Sequence, residues 1–103
     1  DIGQFFPDTD PRWKGVESKI FLEEARKQVG FHKGTIVNVD ATIIAQEPKL
    51  NPHVLEMVRN IAESLGLSPE RVGVKATTNE RIGFLGREEG IAAMAVASVD
   101  INR

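Results

Sequence analysis

"TIVNVDATIIAQEPKLNPHVLEMVRNIAESLG", residues 35–66, changes its period halfway along. Val37, Val39, Ala41, Ile43 and Ala45 alternate with Asn38, Asp40, Thr42, Ile44 and Gln46, the two-residue repeat of a β-strand with one more polar face. The repeat stops near Glu47-Pro48. Beyond it Val54, Met57, Val58, Ile61 and Leu65 fall on one helical stripe. Asn51 is placed to cap that helix, Pro52 suits its first turn and Gly66 is placed to close it. A strand that feeds a helix through a proline turn predicts sheet and helix packed in one unit.

Working outward, "SKIFLEEARKQVG" (18–30) sets Phe21, Leu22, Ala25 and Val29 on one helical face, with Ser18 as its N-cap and Gly30 as its stop. On the other side, "SPER" (68–71) reads as one helical turn, and Val72, Val74 and Ala76 alternate as a short strand. "GIAAMAVASVDI" (90–101) has the alanine content of a helix. Its Ile91, Ala93, Ala95, Ala97 and Val99 nevertheless alternate and its valines cluster toward the end, so it is assigned as a strand. The order helix, strand, helix, strand, strand predicts an α+β fold: a single layer of helices packed on one mixed β-sheet, one domain over residues 1–103.

Composition narrows the function classes. A chain of 103 residues supports one core and sits near the size where a partner subunit completes the burial. Its 13 Lys plus Arg against 15 Asp plus Glu produce no global field, so neither nucleic acid nor an acidic membrane surface is an expected partner. The absence of cysteine removes disulfides, thiolate metal sites and thiol nucleophiles. No apolar run reaches membrane-spanning length, and a soluble protein is expected. The sequence opens on Asp1 in an already motif-dense stretch, which reads as a chain cut at its front.

Three loops carry the polar chemistry. In "FPDTDP" (6–11), Asp8 and Asp10 flank Thr9 between prolines; this is either an Asx-type turn or a rigid set of acceptors for a polyol's hydroxyls or, through water, for a hard cation. In "AQEPKLNP" (45–52) a strand ends and a helix begins, a common junction whose free N–H groups also suit an anion or a base's acceptor atoms. "KATTNERIGFLGREEG" (75–90) reads as a loop in which Gly83, Gly86 and Gly90 permit left-handed or tightly curved backbone. Thr77 and Thr78 can cup phosphate oxygens there, and Glu80 beside a phosphate calls for a bridging divalent cation. Arg87 with Glu88 and Glu89 also fits an ordinary ion-pair cluster, and Phe84 also fits a core position. His32 and His53 lack a second histidine at the one-turn spacing of a zinc site.

"DIGQFFPDTDPRWKG" (1–15), "NVDATIIAQEPKLNPH" (38–53) and "VKATTNERIGFLGREEGIA" (74–92), in this order, closely resemble the 2-C-methyl-D-erythritol 2,4-cyclodiphosphate synthases of the non-mevalonate isoprenoid pathway. The resemblance runs along the whole chain and corresponds to the C-terminal two thirds of the family domain. It implies a homotrimer with active sites between subunits. It also implies a reaction in which the 2-phosphate of 4-diphosphocytidyl-2-C-methyl-D-erythritol 2-phosphate attacks the substrate's own β-phosphorus and expels CMP.

By the same resemblance, Asp1, Ile2, Gly3, Phe6, Pro7, Asp8, Thr9 and Asp10 would contact the methylerythritol phosphate. Ala45, Gln46, Glu47, Pro48, Lys49, Leu50 and Asn51 would recognise cytosine, largely through backbone groups. Thr77, Thr78, Asn79 and Glu80 would manage the diphosphate, Thr78 as transition-state stabiliser and Glu80 as ligand to Mg²⁺ or Mn²⁺, while Phe84 and Arg87 would line the pocket. The family's Zn²⁺ site, an Asp-x-His and a later histidine, is expected upstream of Asp1. The implied location is the cytoplasm of a bacterium, or the plastid of a plant or alga.

The sequence departs from the family pattern at Asn79, Arg81, Leu85 and Glu88, where members usually carry threonine, lysine, threonine and glycine. A contrasting expectation is a truncated, noncatalytic trimeric module that binds cytidine nucleotides.

Overall fold

A computed structural model describes residues 17–102 of the chain. Helix α1 spans Ser18–Phe31, β1 Gly34–Ile44, α2 Val54–Leu65, β2 Val72–Thr77, α3 Gly83–Gly86 and β3 Ala92–Ile101, with 3₁₀ turns at Asn51–His53 and Pro69–Arg71. The strands form one mixed sheet in the order β2-β1-β3, with β1 parallel to β2 and antiparallel to β3. The α+β class and the mixed sheet agree with the sequence reading.

Alternation along the strands decides which face is covered. Val39, Ala41 and Ile43 of β1 stand beside Val72, Val74 and Ala76 of β2, and this set faces the helices. Val72 and Val74 form a core with Ala62, against which Ile43, Val54, Met57, Val58, Ile61 and Leu67 pack. The α2 stripe expected from spacing is thus the stripe that packs. Burying one such side chain completely stabilises the fold by about 1.5–3 kcal/mol, and the half-buried members contribute less. Helix α1 packs on α2 and β1.

The opposite face of the sheet carries Asp40, Thr42, Lys75, Met94 and Val96. Asp40 and Lys75 form an exposed ion pair at 3.4 Å. Met94 is 65% exposed and Val96 72%. β1 carries a bulge at Val37, where pairing to β3 steps from Ile36 to Asn38. Among the described residues no helix is long and apolar enough to cross a membrane.

Helix ends depart from the sequence reading in three places. Glu17, not Ser18, occupies the N-cap of α1 and makes no side-chain cap bond. α1 runs past Gly30 to Phe31, because the left-handed residue that turns the chain is Lys33, with φ 60°. Asn51 begins a 3₁₀ turn instead of capping α2; Leu50 and His53 hold the two cap positions, neither with a side-chain cap bond. The stop at Gly66 is as expected. With φ 69°, Gly66 lets Leu67 N–H donate to Ala62 O at 2.9 Å, closing the last turn of α2.

Candidate functional site

Because β1 and β2 are parallel neighbours, their C-terminal ends lie side by side. The ladder continues one residue beyond β1, where Ala45 N–H donates to Thr77 O at 3.0 Å. A groove of about 330 Å³ opens at this point. Ala45, Lys49, Leu50 and Asn51 line it from the loop after β1, and Ala76, Thr77 and Thr78 from the end of β2. Two loops separated by the whole of α2 therefore form opposite walls of one cleft.

Each wall has its own chemistry. On the β1 side the Glu47-Pro48 peptide is cis, and Lys49 pairs with Glu47 at 3.7 Å with both side chains well exposed. An exposed pair of this kind contributes under about 1 kcal/mol, so the Lys49 ammonium is readily drawn to another anion. Asn51 opens the 3₁₀ turn that runs into α2, and no side chain caps either start. The positive end of that helix borders the groove.

On the β2 side the chain bends sharply through residues 78–82. Glu80 and Arg81 are both left-handed, with φ 51° and 62°. Such backbone costs a non-glycine residue roughly 1–2 kcal/mol. Hydrogen bonds hold the bend. Glu80 N–H donates to Thr78 Oγ1 at 3.2 Å, Ile82 N–H to Asn79 O at 3.0 Å, and Asn79 Nδ2 to Ile82 O at 2.8 Å. Arg81 N–H donates to Oε1 of Gln46 at 2.9 Å, a partner 35 residues away on the other wall.

The segment 75–90 is not one continuous loop. It contains α3, and its glycines serve purposes other than those expected. Only Gly83 has a positive φ, 68°; left-handed backbone falls instead on Glu80, Arg81 and Glu88. Gly86 is buried because its Cα faces the Arg81 backbone, where any Cβ would overlap the carbonyl carbon. The turn and the short helix are pressed together, which a pattern of glycines alone does not reveal.

Of the residues named from sequence, Ala45, Lys49, Leu50, Asn51, Thr77 and Thr78 share the groove. Asn79 and Glu80 follow on the bend, with Glu80 exposed. Glu47 and Pro48 are exposed in the loop. Gln46, assigned to the strand's polar face, is instead 5% exposed, because β1 ends at Ile44 and the turning backbone carries its side chain inward. Phe84 is 59% exposed, so it is no core residue of the described chain. Arg87 Nε pairs with both carboxylate oxygens of Glu89, at 2.9 and 3.1 Å. Phe84 and Arg87 lie outside the lining of the groove. Asp1, Ile2, Gly3, Phe6, Pro7, Asp8, Thr9 and Asp10 lie outside the described residues.

Sequence reasoning overlooked Ala76 as a lining residue, together with the roles of Arg81 and Gly86. Ala76 was legible as the last inward-facing position of its strand. Among the described residues no three His, Cys, Asp or Glu side chains gather as a metal-ion cluster. Glu80 is a lone exposed carboxylate beside two threonines, a donor set that fits a cation whose other ligands are substrate oxygens and water.

A cleft across the C-terminal ends of two parallel strands is where open sheets of this kind take their ligands, and it marks the candidate site of an α+β domain. The sequence model of the YgbB family matches residues 1–100. The chain belongs to the YgbB family.

Its relatives include the 2-C-methyl-D-erythritol 2,4-cyclodiphosphate synthase of Dechloromonas aromatica, 55% identical over 97% of this chain and 62% of that protein. The bifunctional enzyme IspD/IspF of Rhizobium rhizogenes is 54% identical over 96% of this chain and 24% of its own length. Among solved structures, the bifunctional IspDF of Campylobacter jejuni superposes with a TM-score of 0.89 at 39% identity, over 96% of this chain and 27% of that one. A 2C-methyl-D-erythritol-2,4-cyclodiphosphate synthase in a CDP-bound form superposes with a TM-score of 0.80 at 32% identity, over 97% of this chain and 64% of that one. The chain spans about three fifths of the length of the single-function curated relatives it matches, 62% and 59%.

Proposed function

We propose that this chain forms the nucleotide- and diphosphate-binding part of a 2-C-methyl-D-erythritol 2,4-cyclodiphosphate synthase. The observation that carries this reading is the single groove lined by Ala45, Lys49, Leu50 and Asn51 on one side and by Thr77 and Thr78 on the other. The names of its relatives support it, and one of them binds CDP. The reaction is an intramolecular displacement. An oxygen of the substrate's 2-phosphate forms a bond to the β-phosphorus of the cytidine diphosphate, the bridging P–O bond to the α-phosphate breaks, and CMP leaves with that oxygen. No water is consumed.

Such a step needs positioning and charge neutralisation more than a strong base. Backbone groups of the 45–51 loop would hold the cytosine, with Gln46, Glu47 and Pro48 shaping that loop from behind. The Thr77 and Thr78 hydroxyls would donate to phosphate oxygens, Thr78 where charge builds on the attacked phosphorus. Glu80 would hold a Mg²⁺ or Mn²⁺ ion, which supplies neutralisation of the diphosphate charge. By the family resemblance, a Zn²⁺ ion would be held by ligands outside the described residues. Asp8 and Asp10 would take hydrogen bonds from the polyol.

The reading includes a homotrimer. It is supported by the exposed apolar side chains on and beside β3, among them Ile91, Met94, Val96 and Ile101, which a partner subunit would cover. A bacterial cytoplasm, or a plastid, is the matching location.

The test is to incubate the full-length protein with 4-diphosphocytidyl-2-C-methyl-D-erythritol 2-phosphate, Zn²⁺ and Mg²⁺, and to follow phosphorus NMR. CMP and a cyclic diphosphate are expected. Unchanged substrate together with CMP binding would replace this reading with a noncatalytic nucleotide-binding module.

A further inference from the structure

Gln46 is one of two buried polar or charged residues among those described, at 5% exposure; the other, Ser64, bonds back to Asn60 O at 2.8 Å within its own helix. A buried carboxamide needs a reason to be there. Its oxygen accepts Arg81 N–H at 2.9 Å, a side-chain hydrogen bond that ties the bend at 78–82 to the opposite wall of the groove. The other hydrogen bonds named for the bend are internal to it. Arg81 is also one of two successive left-handed residues, so its N–H direction is tied to an unfavourable backbone state that relaxes unless it is held. The neighbouring backbone bond, Ala45 N–H to Thr77 O at 3.0 Å, fixes the strand ends but stops short of the bend.

We propose that Gln46 is a positioning residue: its carboxamide is a strut between the walls that aims the Glu80 carboxylate, and with it Thr78, at the substrate diphosphate. The inference rests on the reaction assigned above and adds a residue whose side chain acts through the Arg81 backbone instead of touching cytosine. The strut serves metal and phosphate, not the base. Loss of the strut therefore raises the divalent-cation requirement and lowers kcat, while CMP affinity stays near its original value.

The test compares full-length wild-type protein with Gln46→Met, which keeps length but removes the acceptor, and Gln46→Glu, which keeps an acceptor oxygen. Hydrogen exchange at the Arg81 amide reports the strut directly and needs no substrate. Slow exchange is expected in wild type and in Gln46→Glu, and fast exchange in Gln46→Met. In Gln46→Met the Mg²⁺ concentration for half-maximal rate should rise by about 10- to 100-fold, the range seen when groups that orient a metal ligand are removed. Adding Arg81→Gly to Gln46→Met should recover part of that loss, since glycine holds left-handed backbone without help.

A Gln46→Met protein with the wild-type Mg²⁺ requirement and a fast Arg81 amide would reduce the bond to packing and overturn the proposal. Equal losses in Gln46→Met and Gln46→Glu would overturn it too, because the acceptor would then not matter. Wild-type protein that releases no CMP overturns the assigned reaction and the catalytic role together, while a slow Arg81 amide in the same sample still identifies the strut.

Discussion

Gly86 lies with its Cα against the backbone of Arg81, so close that a Cβ at position 86 would overlap the Arg81 carbonyl carbon and approach its oxygen to 2.8 Å. Gly86 N–H donates to Ile82 O at 3.1 Å, so α3 is stitched to the bend it presses on. The bend that presents Thr78 and Glu80 is therefore held from behind by a residue whose useful property is having no side chain.

Gly86→Ala is expected to destabilise the protein by about 1–3 kcal/mol through overpacking, and to lower the rate of CMP release more than it weakens CMP binding. Urea unfolding and steady-state kinetics of the same preparation check this. Wild-type kinetics with unaltered stability would mean that the bend shifts aside freely.

Thr78→Ala is expected to slow turnover by about 100- to 1,000-fold, the loss typical of one donor at a developing charge. Its cost in stability should stay near 1 kcal/mol, since among the described residues the hydroxyl accepts from the Glu80 N–H alone. Glu80→Gln should leave stability unchanged and raise the Mg²⁺ requirement. A Mg²⁺ titration of Glu80→Gln that overlays the wild type would move the cation to another ligand.

How much of this was legible in the sequence depends on what kind of signal each feature left. Strands β1 and β2 and helix α2 were readable because burying one face imposes a period, and Val72, Val74, Met57 and Ile61 obey it; β3 was readable from its alternation and clustered valines, although neither of its faces is buried within the subunit. Gly66 was readable because a helix that ends left-handed favours glycine. Glu80 and Arg81 were not, because nothing in their chemistry prefers left-handed backbone; tertiary hydrogen bonds impose it. Gln46 was misplaced because period-two counting was carried past Ile44, where the strand ends. For the groove, the sequence identified both walls but not that parallel pairing sets them face to face.

Gly66→Ala should cost about 1–2 kcal/mol for left-handed backbone, and more if the Arg26 guanidinium, which occupies the space of the added methyl, cannot swing away. Thermal or urea unfolding reads it directly. An unchanged midpoint would show that α2 ends in another conformation.

Asp40→Asn or Lys75→Met, by contrast, should change the stability of the isolated subunit by less than about 1 kcal/mol, because both side chains are exposed there. Whatever effect remains should fade with added salt. A larger, salt-insensitive loss would mean that this face of the sheet is covered in the assembled protein.

Val96→Glu places a charge at an exposed apolar position of β3 and, if the proposed trimer buries that position, should shift the full-length protein toward monomer in sedimentation velocity. Monomeric wild-type protein at micromolar concentration would remove the trimer from the proposed function.

The parallel pairing of β1 with β2 has a thermodynamic corollary. Ile44 and Thr77 are register partners although the whole of α2 lies between them in sequence, so the two walls face each other only where the strands have paired. A cytidine diphosphate that bridges the walls would recognise the folded state alone. At a free concentration one hundred times its dissociation constant it would add about 2.7 kcal/mol to the unfolding free energy. Under the proposed function, substrate supply would then bear on how long the protein survives as well as on how fast it works.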